Sequence, residues 1–135
     1  MALEQRPDGG RVGEKRDPDL GRRTKGFALS IVRLYGELPK TVEAQVLGKQ
    51  MLRSGTSVGA HYREGRRARS AAEFISKLEG ALQELDETAY WLELLTEAEV
   101  SADPRLPILC SEANELAAML VSSVRTAKSR RTTSG

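Results

Sequence analysis

The chain has 135 residues, of which 39% are hydrophobic, 30% charged and 4% aromatic, and its formal net charge is +2. This composition excludes wholesale disorder and disfavours a β-sandwich, and the length predicts one domain. No apolar run approaches the roughly 20 residues that cross a bilayer, and the first residues lack the apolar core of a signal peptide. A single cysteine excludes an internal disulfide, so we expect a cytoplasmic protein that does not enter the membrane.

The two ends of the chain differ in character from its centre. Residues 1–24 combine frequent glycine and proline with dense mixed charge and show no helical or strand period, which predicts a disordered tail. Residues 129–135 are polar and basic and predict a second, shorter tail. The folded domain is therefore expected over 25–128.

Two helices are predicted in the first half of this domain. Apolar residues from Phe27 to Leu38 step by four, three and four, which predicts a helix over 25–38 that ends at Pro39. Thr41 is placed to N-cap a second helix over 42–66.

The second predicted helix is unusually rich in glycine. Gly48, Gly55 and Gly59 each cost about 1 kcal/mol relative to alanine in a helix. Either the helix breaks, or its small residues admit a close neighbour. We favour the close neighbour, because serine and alanine accompany these glycines along the same segment.

The second half predicts two longer helices. Ser70 and Glu73 have the spacing of a capping box, and a continuous apolar stripe follows, so we expect a helix over 70–99. Pro104 and Pro107 mark the next break, after which a fourth apolar stripe predicts a helix over 105–128. Four amphipathic helices with short connections predict an all-α, up-down four-helix bundle.

Charge is distributed unevenly within the bundle. Residues 49–69 carry six basic side chains and one acidic, whereas residues 70–99 carry eight acidic and one basic. The acidic cluster at 84–87 lies off the apolar stripe and predicts a solvated face. The basic segment indicates either a solvated helix end or a patch for phosphate groups, with His61 and Tyr62 available for stacking. The candidate nucleic-acid contacts are Lys49, Arg53, Arg63, Arg66, Arg67 and Arg69. A second candidate is the C-terminal group Arg125, Lys128, Arg130 and Arg131.

No pattern of catalytic or metal-binding residues is present in the sequence. The one histidine, His61, lacks the Glu-x-x-His spacing of a carboxylate metal site, and the one cysteine, Cys110, has no orienting third group. We therefore expect a non-enzymatic protein with no metal and no cofactor. The third predicted helix carries more large apolar residues than one buried stripe needs, which predicts a homo-oligomer.

Three stretches of the chain, taken in order, resemble one bacterial family. Residues 52–65 read LRSGTSVGAHYREG, residues 69–78 read RSAAEFISKL, and residues 84–95 read ELDETAYWLELL. Together they resemble the 23S rRNA-intervening-sequence proteins, a family of four-helix bundles, over roughly residues 26–127. The chain departs from the family's usual pattern at His61, where asparagine is usual, and at Arg63, where alanine is common.

The resemblance implies a ring-shaped oligomer and a nucleic acid. The family is similar in fold to the accessory protein of diversity-generating retroelements, a basic pentameric barrel thought to engage RNA and a reverse transcriptase. It therefore implies a homopentamer that binds nucleic acid, RNA rather than DNA. The alternative is a scaffold for a protein partner such as a reverse transcriptase, with no direct contact to nucleic acid.

Overall fold

The computed structural model describes residues 18–134, which form four α-helices and contain no strand within that range. The helices are α1 (Pro18–Gly36), α2 (Val42–Arg66), α3 (Ala71–Glu97) and α4 (Arg105–Ser134). Helix α1 packs against α2 and α4, and α3 packs against the same two helices, so the bundle closes as a ring of four. The all-α four-helix bundle expected from the sequence is confirmed.

Two predicted boundaries are wrong. Helix α1 begins at Pro18 and not at residue 25, because proline suits the first helical position and Leu20 is fully buried in the core. The remainder of the predicted tail, residues 1–17, lies outside the described residues. Helix α4 continues to Ser134 and not to residue 128, so most of the predicted C-terminal tail is helical.

The predicted helix caps are present. The Thr41 hydroxyl accepts a hydrogen bond from the Ala44 amide at 3.2 Å, and the Ser70 hydroxyl accepts one from the Glu73 amide at 3.0 Å. The Glu73 carboxylate in turn accepts a hydrogen bond at 3.1 Å from the amide of Arg69, one residue before the Ser70 cap, whereas the return bond of a capping box comes from the amide of the cap itself. These bonds occupy amides that the first turn of each helix cannot pair internally.

The glycines of α2 permit close packing, as predicted, and the helix is continuous. A Cβ atom added at Gly48 would lie 2.7 Å from Leu38 Cδ1, and one at Gly55 would lie 3.0 Å from Ile31 Cγ1. On the side of α2 that faces α3, a Cβ atom at Gly65 would lie 2.6 Å from Leu78 Cδ1. Helix α2 therefore approaches both α1 and α3 more closely than larger side chains allow.

All four helices contribute apolar side chains to one core. The core is formed mainly by leucine, with α1 contributing from Leu20 to Leu34 and α4 from Leu106 to Val124. Two buried hydroxyl groups lie on the side of the core between α2 and α3. There the Thr88 hydroxyl donates a hydrogen bond to the Ser54 hydroxyl at 2.8 Å. Because the Ser54 hydroxyl accepts this bond and donates to the Gln50 carbonyl at 3.0 Å, neither hydroxyl is left unsatisfied.

Candidate nucleic-acid interface

One end of the bundle gathers basic side chains from helices that are far apart in sequence. In an up-down bundle the C-terminal ends of α2 and α4 lie at the same end, beside the N-terminal ends of α1 and α3. We call this region the basic end and define it by two groups. The α2 group is Arg63, Arg66, Arg67 and Arg69; the α4 group is Arg125, Lys128, Arg130 and Arg131.

The α2 group is exposed and carries its charge to solvent. All four arginines are exposed, and among residues 18–134 none of them has an acidic side chain within ion-pair distance. The guanidinium of Arg66 lies against α1, where a Cβ atom added at Gly21 would approach it to 3.2 Å. The helix ends immediately after Arg66, so the last two arginines of the group lie in the short connection to α3.

Ion pairs show that the α4 group lies at the same level along the bundle axis as the α2 group. Lys128 of α4 pairs with Glu79 of α3 at 3.1 Å, and Lys77 of α3 pairs with Glu64 of α2 at 3.1 Å. Residues 77 and 79 are separated by about 3 Å along the helix axis, at 1.5 Å per residue. The C-terminal group and the α2 arginines, which the sequence presents as alternative sites, therefore lie at the same end of the bundle.

Two of the predicted contact residues lie elsewhere. Lys49 is exposed, but it precedes Arg66 by nearly five turns of α2, about 25 Å along the axis. Arg53 is committed to α3, where its guanidinium pairs with Glu87 at 2.6 Å and with Glu84 at 3.3 Å. Lys49 and Arg53 are thus separated from the basic end.

The acidic cluster of α3 is not the solvated face that the sequence predicted. Glu84 and Glu87 are only partly exposed, and both face α2. Hydrogen bonds from Arg53 and from the Trp91 indole lower the pKa of Glu87 below its ordinary value. Asp86, in contrast, is exposed as expected. A side chain that lies between two helices is shielded from water by the neighbouring helix. The sequence pattern of one helix does not show this shielding.

The two predicted stacking residues differ in exposure, since 32% of the His61 side chain is exposed and Tyr62 is buried. Tyr62 is 1% exposed and belongs to the hydrophobic core, so its predicted role in stacking is wrong. His61 lies between α2 and α3, with Nε2 3.8 Å from the Glu84 carboxylate and with Nδ1 buried against Gly80. The basic end therefore offers cations to a ligand, and Tyr62 adds no ring face to them.

The one thiol and the one imidazole of the described chain lie near opposite ends of the bundle. Cys110 is in the second turn of α4, whereas His61 is in the second-last turn of α2. Burial, followed by the nearby Glu93 carboxylate, raises the pKa of the Cys110 thiol, which opposes formation of a thiolate. Among the residues that the structure describes, no three histidine, cysteine or carboxylate side chains cluster as a metal site.

Sequence reasoning missed one ion-paired cluster, between α1 and α4. Arg23 reaches Glu112 at 2.8 Å and Glu115 at 2.7 Å, and it also contacts the Met119 sulfur. The predicted start of α1 at residue 25 left Arg23 in the expected tail. A proline followed by an acidic residue, at Pro18 and Asp19, is the signal that could have located the correct start.

No helix within residues 18–134 has both the length and the apolar character that a membrane span requires.

Comparison with known proteins matches the chain to a family and to a solved structure. The family described as 23S rRNA-intervening sequence protein matches residues 16–122. A crystal structure of a protein of unknown function from the S23 ribosomal protein family of Bacteroides thetaiotaomicron is 39% identical in sequence, with a TM-score of 0.74. The alignment covers 79% of this chain and 96% of that one. No curated protein shows significant similarity to the chain.

Proposed function

The chain belongs to the 23S rRNA-intervening sequence protein family, and we propose that it is a non-catalytic protein that binds RNA at its basic end. The observation that carries this proposal is the meeting of two basic groups, from α2 and α4, at one end of the bundle. The α2 arginines have no acidic partner among the described residues, so their charge is available to an anionic ligand. Guanidinium groups also suit phosphate, because their planar fork donates two parallel hydrogen bonds.

Contacts of this kind hold the nucleic-acid backbone and do not read bases. Phosphate contacts fix position and orientation, whereas sequence is read at base edges. We therefore expect weak sequence preference and strong dependence on salt, because each neutralised phosphate releases condensed counterions.

The proposal includes self-association, which would repeat the basic end and raise the overall affinity through avidity. Fewer large apolar side chains of α3 are left for contacts between subunits than the sequence predicted. Ile75, Leu85, Leu92 and most of the others belong to the bundle's own core. Exposed apolar groups remain on α2 and α3, at Val42, Val46 and Tyr90. The pentamer implied by the resemblance is one closed form of such an assembly; light scattering at micromolar concentration tests it, and a monomer would refute it.

The RNA proposal is tested by replacing three of the four arginines of the α2 group and measuring binding to a mixed RNA pool at several salt concentrations. The test variant replaces Arg66, Arg67 and Arg69 with alanine. We expect weaker binding and a flatter salt dependence, with a slope change of about 0.7–0.9 for each phosphate that the variant no longer neutralises.

A matched control removes the same number of positive charges far from the basic end. Arg33, Lys40 and Lys49 are exposed, and none has an ion-pair partner among the described residues. Their replacement by alanine lowers the net charge equally, so it measures the contribution of overall charge alone. Equal losses of affinity in the two variants, or no loss in either while the fold is intact, would refute the basic end as the RNA site.

The scaffold alternative rests on the exposed apolar groups of α2 and α3. A protein partner that docks there contacts Val46 and Tyr90 and does not depend on the arginines of the basic end. Crosslinking in cells, followed by sequencing of bound RNA and mass spectrometry of bound protein, separates the two functions. Recovery of protein alone, from both the wild type and the arginine variant, would favour the scaffold.

A further inference from the structure

We infer that the ligand of the basic end is double-helical, and that single-stranded RNA is bound only weakly. This inference rests on the proposed function and names the form of nucleic acid that fits the same surface. Two independent features of the structure carry it: the position of every aromatic ring in the chain, and the placement of the two basic groups on diagonal helices.

Single-strand binding without sequence preference depends on stacking, because unpaired bases are held on exposed aromatic rings, each worth about 1–3 kcal/mol. The chain has six aromatic residues, and all of them lie within the described range. Phe27 and Tyr62 are buried in the core, and Phe74 is packed against it. Phe27 and Tyr62 therefore present no open face, whereas Phe74, in the first turns of α3, is partly exposed and is the ring whose role in stacking has to be tested.

The other three aromatic residues lie away from the basic end. Tyr35 is near the C-terminal end of α1, where its hydroxyl contacts Gln45. Tyr90 and Trp91 lie in the second half of α3 and contact each other, with ring centroids 5.1 Å apart. Binding at the basic end therefore depends on phosphate contacts, and a double helix presents phosphates without requiring its bases to be held.

The two basic groups also match a ligand with two phosphate strands. Helices α2 and α4 are diagonal in the bundle, since each contacts only α1 and α3. With neighbouring axes 8–10 Å apart, the diagonal axes are about 11–14 Å apart. Each of the two groups can therefore face a different phosphate strand of one double helix. A single strand, in contrast, carries one line of phosphates and has no fixed second line for the other group.

The test compares three probes with the full-length protein at equal nucleotide concentration: a 20-base-pair RNA duplex, one of its strands chosen to be unstructured, and a DNA duplex of the same sequence. We expect the RNA duplex to bind more than about tenfold tighter than the strand, since only the duplex engages both groups. A duplex of scrambled sequence should bind equally well. Binding of the DNA duplex as well supports recognition of phosphates alone.

Two further variants make the result specific. Replacing Arg125, Arg130 and Arg131 with alanine removes three of the four cations of the α4 group, and should reduce duplex affinity more than strand affinity. Phe74→Leu tests stacking and should leave strand binding unchanged, with circular dichroism to confirm that each variant is folded. Equal or tighter binding of the single strand, or weaker strand binding by Phe74→Leu, would overturn the inference, whereas binding of the DNA duplex alone would overturn the choice of RNA in the proposed function. Failure of the wild type to bind any of the probes would instead overturn the proposed function.

Discussion

The two ends of the bundle use charge in opposite ways. At the basic end, the arginines of the α2 group have no acidic partner among the described residues and face solvent. At the other end, Arg105 at the start of α4 pairs with Asp103 and with Glu37, each at 2.6 Å, and so ties α4 to α1. Charge that is paired contributes to folding, whereas charge that is left unpaired is available for a ligand. The comparison teaches that ion pairs join elements of the fold at one end, whereas the α2 arginines leave positive charge exposed at the other.

The largest expected effect concerns the packing beneath the basic end. Gly65→Leu places a side chain where even a Cβ atom would lie 2.6 Å from Leu78 Cδ1 and 3.3 Å from Lys77 Cβ. We expect the free energy of unfolding to fall by about 1–3 kcal/mol, measured by chemical denaturation, because overpacking moves α3 away from α2. Gly26→Leu is the matched control, since nothing lies within 4 Å of a Cβ atom at that helical position. Equal stability of the two variants would show that the close approach at Gly65 is not required.

The next prediction tests the comparison directly with one arginine from each end. Arg105→Ala should lower the melting temperature, because it removes the ion pairs that join α4 to the preceding loop and to α1. Arg66→Ala should change the free energy of unfolding by no more than about 0.5 kcal/mol, because it removes an exposed side chain without an ion pair. RNA binding should respond in the reverse order. Loss of stability in Arg66→Ala, with Arg105→Ala unaffected, would reverse the assignment of the two ends.

The ion-paired end should also respond to acid. Hydrogen bonds from Arg105 lower the pKa of Asp103 to about 2, from an ordinary value of 3.8. A carboxyl group whose pKa is lower in the folded state stabilises the fold above its unfolded pKa, and this contribution is lost as the pH falls from about 4 to about 2. Asp103→Asn should therefore lose less stability than the wild type between pH 5 and pH 2, as followed by thermal unfolding. If the stability of the wild type and of Asp103→Asn falls equally between pH 5 and pH 2, the stabilising role of the Asp103 carboxylate is contradicted.

The smallest expected effect lies at the end of α3. Glu99 follows the C-cap of that helix in a left-handed conformation, with φ of 58°, where glycine is the usual residue. We expect Glu99→Gly to raise the free energy of unfolding by about 0.5–1 kcal/mol, since glycine adopts this conformation without a Cβ penalty. Glu97→Gly is the contrasting control, because it weakens the helix just before its end. Stabilisation by both variants would indicate an effect of charge and not of backbone conformation.

Local signals in the sequence were sufficient for the helices and their caps. Apolar spacing along each segment reports one face of one helix, and the Thr41 and Ser70 hydroxyls bond within three residues of their own positions. The same local reasoning missed the start of α1. Leu20 is isolated in a polar stretch, and its complete burial depends on the neighbouring helices that surround it.

The sequence by itself determined a helical bundle, the small residues along α2 and a basic segment followed by an acidic one. Only the tertiary structure decided which charges are neutralised and which stay free. Arg53 and Arg66 are both arginines of α2, yet Arg53 faces the carboxylates of α3 while Arg66 has none within reach in the described chain. The α2 and α4 groups also lie at one end because of the tertiary structure. The alternating direction of the helices brings residues more than 50 positions apart in the sequence to the same end of the bundle. Which charges meet depends on distances across the bundle, and a one-dimensional pattern does not contain those distances.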